Sequence, residues 1–191
     1  GLITLFGVQH SVMARPAFKE KWTKLVPKHL ERSIYVVISG VLCLLITYFW
    51  APIDGNIWSI ASGSVGYYIM YSVFFLGIVF LLTSTFLINH FHLFGLQQSF
   101  QHMRSIQEKP ISFQEYAFYR FTRHPIYLGF MMILWATPNM TFAHFTLAAL
   151  FTLYIYIGIY FEEVDLQATF GETYSNYKKR IPKLIPIGRK K

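Results

Sequence analysis

"PIYLGFMMILWATPNMTFAHFTLAALFTLYIYIGIYF", residues 125–161, continues for 37 residues without one formally charged side chain. In water such a run would leave a helix with no polar face, so it belongs in lipid. One crossing of the hydrocarbon core takes about 20 residues, and the run is far too long for a single helix. Within it, "ATPNMT" at 136–141 holds the proline and asparagine that break a helix. The stretch therefore predicts two rather short antiparallel spans, 125–137 and 141–161, joined as a helical hairpin.

The same reading extends toward the N-terminus. From Ser33 to Met103 the only formal charge is Asp54, which predicts spans over 33–50 and 65–89. The first apolar run, "GLITLFGVQHSVMA", reaches Arg15 after 14 residues, so a partial span is expected at 1–14, with its remainder upstream. Over the whole chain 54% of residues are hydrophobic and 14% are charged, against about a quarter charged in a soluble domain. The expected fold is all-α: one integral membrane domain over 1–191, with about five transmembrane helices and short cytoplasmic helices. The lone Cys43 sits inside a span and reads as packing, as do the Met131–Met132 pair and the many phenylalanines.

Net charge is +8, yet the basic residues do not form a nucleic-acid surface. Segment 15–32 carries six Lys and Arg, 90–124 carries four and 162–191 carries seven, whereas 51–64 and 138–140 carry none. This alternation is a topology signal that places the C-terminus in the cytoplasm. Trp50, Trp58 and Trp135 fall on the basic-poor side, where an interfacial aromatic belt lies. "SFQE" at 112–115 has the capping-box pattern and predicts a short amphipathic helix ending near His124, before Pro125. "EEVDLQATFGETYSNYKKRIP" at 162–182 predicts a helix leaving the membrane, interrupted at Gly171 and ended by Pro182. The terminal "GRKK" reads as a solvated tail or an anionic-lipid contact.

In an antiparallel hairpin Arg123 and His124 lie beside Glu162 and Glu163. Span one should end on the same face with Gln9, His10 and Ser11, and span three with Asn89, His90 and His92. Ionisable groups at the edge of hydrocarbon are costly unless they pair or hold a ligand. Basic and acidic groups together, with Tyr127 three residues beyond His124, suit a zwitterion that also has a flat ring, such as an amino acid linked to a nucleoside. Arg120 reads as a flanking charge, His29 and His102 as interfacial residues, and His144 has no assigned partner.

"RHPIYLG" at 123–129, followed a hairpin later by "EEVDLQATFGETYSNYKKRIPKLIP" at 162–186, resembles the C-terminal region of the isoprenylcysteine carboxyl methyltransferase and phospholipid methyltransferase group. "FGVQHSVMARPAFKEKWTKLVPKHLERSIYV" at 6–36 and "NHFHLFGLQQ" at 89–98 resemble the bacterial methanethiol S-methyltransferases, which sit among the NnrU-like membrane proteins. That likeness implies S-adenosylmethionine-dependent methylation of methanethiol to dimethyl sulfide at the cytoplasmic face of a bacterial inner membrane. The first resemblance implies a cofactor region over 112–186 with His124, Tyr127, Gly129 and Glu162 or Glu163 at the cofactor, to which the convergence of charges adds Arg123 and the turn adds Pro125. Pro125 would shape the turn, and Gly129 would allow close approach of the adenosine or of a neighbouring helix.

Transfer to a thiol is an in-line displacement for which the protein supplies alignment and a dry pocket. The thiol must also lose its proton. His10 is the first candidate for that role, with Gln9, Ser11, Asn89 and His90 facing the substrate, and no metal is expected. Three rival readings are a methyltransferase acting on a lipid or prenylated substrate, a haem-binding isomerase using two of His10, His90 and His92, and a non-catalytic scaffold. The expected partners are a small thiol and membrane lipid.

Overall fold

The computed structural model describes residues 1–106 and 113–186. Ser112 of the capping-box pattern and the "GRKK" tail lie outside the described residues. The protein is helical, with α1 (Leu2–Ala14), α2 (Pro16–Trp22), α3 (Lys28–Phe49), α4 (Val65–Ile88), α5 (His90–Leu93), α6 (Leu96–Met103), α7 (Pro125–Trp135) and α8 (Phe142–Arg180). Two short strands, β1 (Asn56–Ser59) and β2 (Asn139–Thr141), complete it.

Among the described residues α3, α4 and α8 are long and apolar enough to cross a membrane, and α1 and α7 are shorter apolar helices. At 1.5 Å per residue, 13 residues of α1 and 11 of α7 reach roughly 20 Å and 16 Å, short of the ~30 Å hydrocarbon core. The protein is thus an all-α integral membrane protein; among the described residues three helices are long enough to span, and α1 and α7 are shorter apolar helices at the positions of the other two expected spans. Only 17% of the most apolar window of α3, and of α4, is buried. Their remaining apolar surface is what a lipid-facing helix presents.

The chain forms two compact units, one from Gly1–Ala51 and the described part of 88–111, the other from Pro52–Leu87 and the described part of 112–191. In the first, α1 packs on α3, burying Phe6 and Met13 of α1 with Tyr35 and Ile46 of α3. Pro16 holds Arg15 in an extended conformation, which separates α2 from α1. Asn89, in the left-handed region at φ 100°, ends α4, and its side-chain oxygen accepts from His92 N–H to start α5. The turn into α6 passes over the start of α3 at Gly95, where a Cβ would lie 2.5 Å from Ser33 N.

In the second unit α4 and α7 cross through glycine. A Cβ on Gly129 would lie 2.8 Å from Gly77 O, and one on Gly77 would lie 2.8 Å from Met132 Cβ. Small residues of this kind let helix backbones approach inside a membrane. Of the two uses expected for Gly129, the structure shows helix packing. The "ATPNMT" break does more than turn the chain. β2 pairs antiparallel with β1, with Trp58 opposite Met140 and Ser59 opposite Asn139, and Trp58 Nε1 donates to Thr137 O. The two connections that lack lysine and arginine are therefore hydrogen-bonded to each other. His144, left without a partner in the sequence, reaches Leu134 O at 2.8 Å.

α8 contains one non-helical residue, Gly171, at φ 53° and ψ −124°. The interruption expected there is a reversal: Ser175 Oγ donates to Gln167 Oε1, and Tyr174 and Tyr177 bury against Leu166 and Phe170. The expected helix before His124 is not formed in its described part. Residues 113–116 form no helix, Tyr116 is extended, and Ala117–Arg120 make one 3₁₀ turn. Tertiary contacts outcompete the local capping signal here. Phe113 packs on Tyr174 and Tyr177, Tyr177 Oη donates to Tyr119 O at 2.7 Å, and Arg180 pairs with Glu115 at 2.7 Å.

Candidate active site

Pro125 is the first residue of α7, where its fixed φ suits the helix and its missing N–H costs nothing. It keeps His124 out of helical geometry, at φ −129° and ψ 64°. The chain's tail pins this turn from outside, because Arg123 N–H donates to Pro182 O and Thr122 Oγ1 to Lys183 O.

Glu163, two residues past the last apolar residue of the long run, is the centre of the cluster. Its Oε1 lies 2.6 Å from Arg123 Nη1 and 3.2 Å from His124 Nε2, and its Oε2 lies 3.3 Å from Lys178 Nζ. The Arg123, His124 and Glu163 side chains are buried at 8%, 3% and 6% exposure, whereas Glu162 is open at 42%. His124 Nδ1 approaches Glu162 Oε2 at 3.6 Å, and the Tyr127 ring lies 5.7 Å from the His124 ring. Tyr119, on the 3₁₀ turn, stays protonated, since burial and then the Glu162 carboxylate push its phenol above the ordinary value.

Some polar groups here lack partners among the described residues. Arg123 Nε and Glu162 Oε2 are buried without a hydrogen bond. Arg123 Nη1 also makes no directed hydrogen bond despite its 2.6 Å approach to Glu163. Opposite charges that close attract at any angle, so the ion pair holds while the guanidinium N–H groups keep donor capacity. A guanidinium edge suits a carboxylate, and a carboxylate oxygen with no donor suits an ammonium. The donor set therefore fits an amino-acid zwitterion.

The first unit holds a second polar cluster. His10 Nδ1 lies 3.1 Å from Ser39 Oγ, and the Tyr35 hydroxyl lies 2.8 Å from His10 Nε2 and 3.0 Å from Nδ1. One hydroxyl serves one ring nitrogen at a time, so Ser39 on Nδ1 leaves Tyr35 to Nε2. Gln9 Oε1 accepts from Ser39 Oγ at 3.4 Å, and Ser11 O accepts from Arg15 Nε. Asn89 caps α5, and the His90 ring lies 4.6 Å from Phe94. Expected pairings within 123–163 are thus in place. Lys178, Tyr35 and Ser39 were not foreseen. Nothing local marks Lys178, whereas Tyr35 and Ser39, four apart on α3, place two hydroxyls on one helix face.

The model of the NnrU protein family matches residues 1–183. The chain belongs to the NnrU family. Relatives include the methanethiol S-methyltransferase of Crocosphaera subtropica, 48% identical over all of this chain and 74% of that protein. That of Pseudomonas deceptionensis is 44% identical over 99% of this chain and 72% of its own length. A more distant family relative, nurim of Rattus norvegicus, is 29% identical over 87% of this chain and 66% of its own. No solved structure matches.

Proposed function

We propose that this chain methylates methanethiol to dimethyl sulfide, with S-adenosylmethionine as methyl donor. The observation that carries the activity is the 48% identity, over the whole chain, to a methanethiol S-methyltransferase. The buried Arg123–His124–Glu163 cluster supports the choice of donor, because its unpartnered groups suit the amino-acid end of that molecule.

Bound S-adenosylmethionine supplies a methyl group on a positively charged sulfur. Arg123 Nε would hold its carboxylate and Glu162 Oε2 its ammonium, and Tyr127 would offer a ring face to the adenine. Glu163 keeps Arg123 and His124 in position, and Lys178 balances its second oxygen. Pro125 shapes the turn, and Gly129 sets the α7 helix against α4. His10 is the acceptor we assign to the thiol proton, with the Tyr35 hydroxyl at 2.8 Å as the group that relays it. Gln9, Ser11, Asn89 and His90 are the residues we assign to the thiol substrate. In this reading the active site and the C-terminus face the cytoplasm of a bacterial inner membrane, an orientation that the distribution of Lys and Arg supports.

The deciding experiment is incubation of purified protein with S-adenosylmethionine and methanethiol, reading dimethyl sulfide by gas chromatography. Product proportional to enzyme is expected. Donor binding with no product from any small thiol, but with methylated lipid, would move the reading to a lipid acceptor.

A further inference from the structure

The first unit contains a cavity of about 340 Å³ that none of the chemistry above uses, lined by Lys19, Lys28, Glu31, Arg32, His92 and Gln98, with Ile88 and Leu93 as its apolar wall. Its depth is set by the helices. Lys28 opens α3, whose uncharged run starts one residue after Arg32, and Ile88 is the last residue of α4. The cavity therefore sits where hydrocarbon gives way to headgroups, on a segment rich in lysine. Its volume is in the range of small-molecule sites.

Two features define what it would hold. The first is charge: Lys19, Lys28 and Arg32 against Glu31 leave two positive charges in excess with His92 neutral. Arg32 is fixed in the wall, with Nε donating to Leu93 O at 2.8 Å and its guanidinium over the Tyr35 ring. The second is a shortage of donors. Glu31 is buried, its Oε2 reaches Lys19 Nζ only at 3.8 Å, and its Oε1 has no hydrogen-bond partner among the described residues. Gln98 gives its Nε2 to His92 O, which leaves Oε1 buried and without a donor. Buried acceptors in this state favour a bound group that donates.

Inorganic phosphate satisfies the charge, but its P–OH donors sit on the same small group that the cations hold, with none extended toward Glu31 and Gln98. A zwitterionic headgroup leaves the positive excess unbalanced, whether its ammonium donates, as in phosphatidylethanolamine, or carries no N–H, as in phosphatidylcholine. A phosphodiester with hydroxyl groups answers both. We infer that this cavity seats the headgroup of an anionic phospholipid of the phosphatidylglycerol type, with phosphate toward Lys19, Lys28 and Arg32 and glycerol hydroxyls toward Glu31 Oε1 and Gln98 Oε1.

The test is native mass spectrometry of the full chain released from nanodiscs of mixed phosphatidylglycerol, phosphatidylmethanol and phosphatidylcholine with matched acyl chains. Retention of phosphatidylglycerol about tenfold over phosphatidylcholine is expected from the lysine contacts, and about fivefold over phosphatidylmethanol from the hydroxyls that the latter lacks. Lys19→Gln with Lys28→Gln should abolish the first preference. Lys21→Gln with Lys24→Gln, which removes the same charge outside the cavity, should keep it. Equal loss in both double variants would reduce the effect to general surface charge and overturn the site. Equal retention of phosphatidylglycerol and phosphatidylmethanol would overturn the donor argument. Displacement of the lipid by inorganic phosphate or glycerol phosphate at millimolar concentration would show a soluble ligand and overturn the lipid assignment.

Discussion

Glu163 Oε2 and Lys178 Nζ lie 3.3 Å apart, although the residues are fifteen positions apart in one helical run. A straight helix would separate them by roughly 22 Å. Gly171, at φ 53° and ψ −124°, reverses the chain and brings them together. The lysine that balances the buried carboxylate is therefore delivered by one backbone conformation that only glycine adopts readily.

Gly171→Ala should separate the two charges. No atom lies within 4 Å of the added Cβ, so the cost is backbone strain rather than a clash, about 1–3 kcal/mol. A lower thermal unfolding midpoint in detergent and weaker donor binding are expected. Gly158→Ala, with equally open space on the apolar part of the same helix, is the control. Equal midpoints for the two variants would remove the role given to the reversal.

Glu163→Gln should weaken S-adenosylmethionine binding more than Glu162→Gln. The first substitution leaves Arg123 and Lys178 without their shared counter-charge, whereas the second removes one contact from a residue at 42% exposure. Losses of about 1–3 kcal/mol are expected by calorimetry for a hydrogen bond to a charged group. Unchanged affinity in both variants would place the donor elsewhere.

His10→Ala should depress turnover about 10²- to 10⁴-fold at neutral pH, the range for a lost proton acceptor. Donor affinity should stay near its original value. Tyr35→Phe, which removes the hydroxyl 2.8 Å from Nε2, should fall in the same direction by a smaller factor. In both variants a higher pH should recover part of the rate, since more thiol is already ionised. A defect equal at every pH would assign His10 and Tyr35 to packing.

Cysteines introduced at Asn56 and Asn139 should react with an impermeant maleimide from the same side of the membrane, because β1 and β2 are hydrogen-bonded. In the orientation proposed from the distribution of Lys and Arg, that side is the periplasm. Labelling of either from the cytoplasm would reverse the orientation.

The apolar helices were legible because lipid imposes a long, uninterrupted composition that needs no tertiary information. Arg123, His124 and Glu163 were legible for a related reason, since a hairpin with a short turn fixes which ends meet. Segment 113–124 was misread because its capping pattern is local, while the contacts that hold it, Tyr177 to Tyr119 and Arg180 to Glu115, come from about sixty residues later. Gly171 announced an interruption, but a glycine marks that a chain can turn without saying how far. The β1–β2 ladder escaped notice because two short loops between spans carry too few residues for alternation to register.

The tail that pins Arg123 and Thr122 through Pro182 and Lys183 also sets an order of events in biosynthesis. Synthesis runs from the N-terminus, so the RHP turn emerges well before the residues that clamp it. Until Lys183 has cleared the ribosome, Arg123 waits at the bilayer edge without the backbone contacts that fix its direction. The insertion machinery thus handles a chain whose RHP turn is still unclamped, and a ribosome stalled before Lys183 would leave a membrane-inserted chain in which that turn has never been fixed.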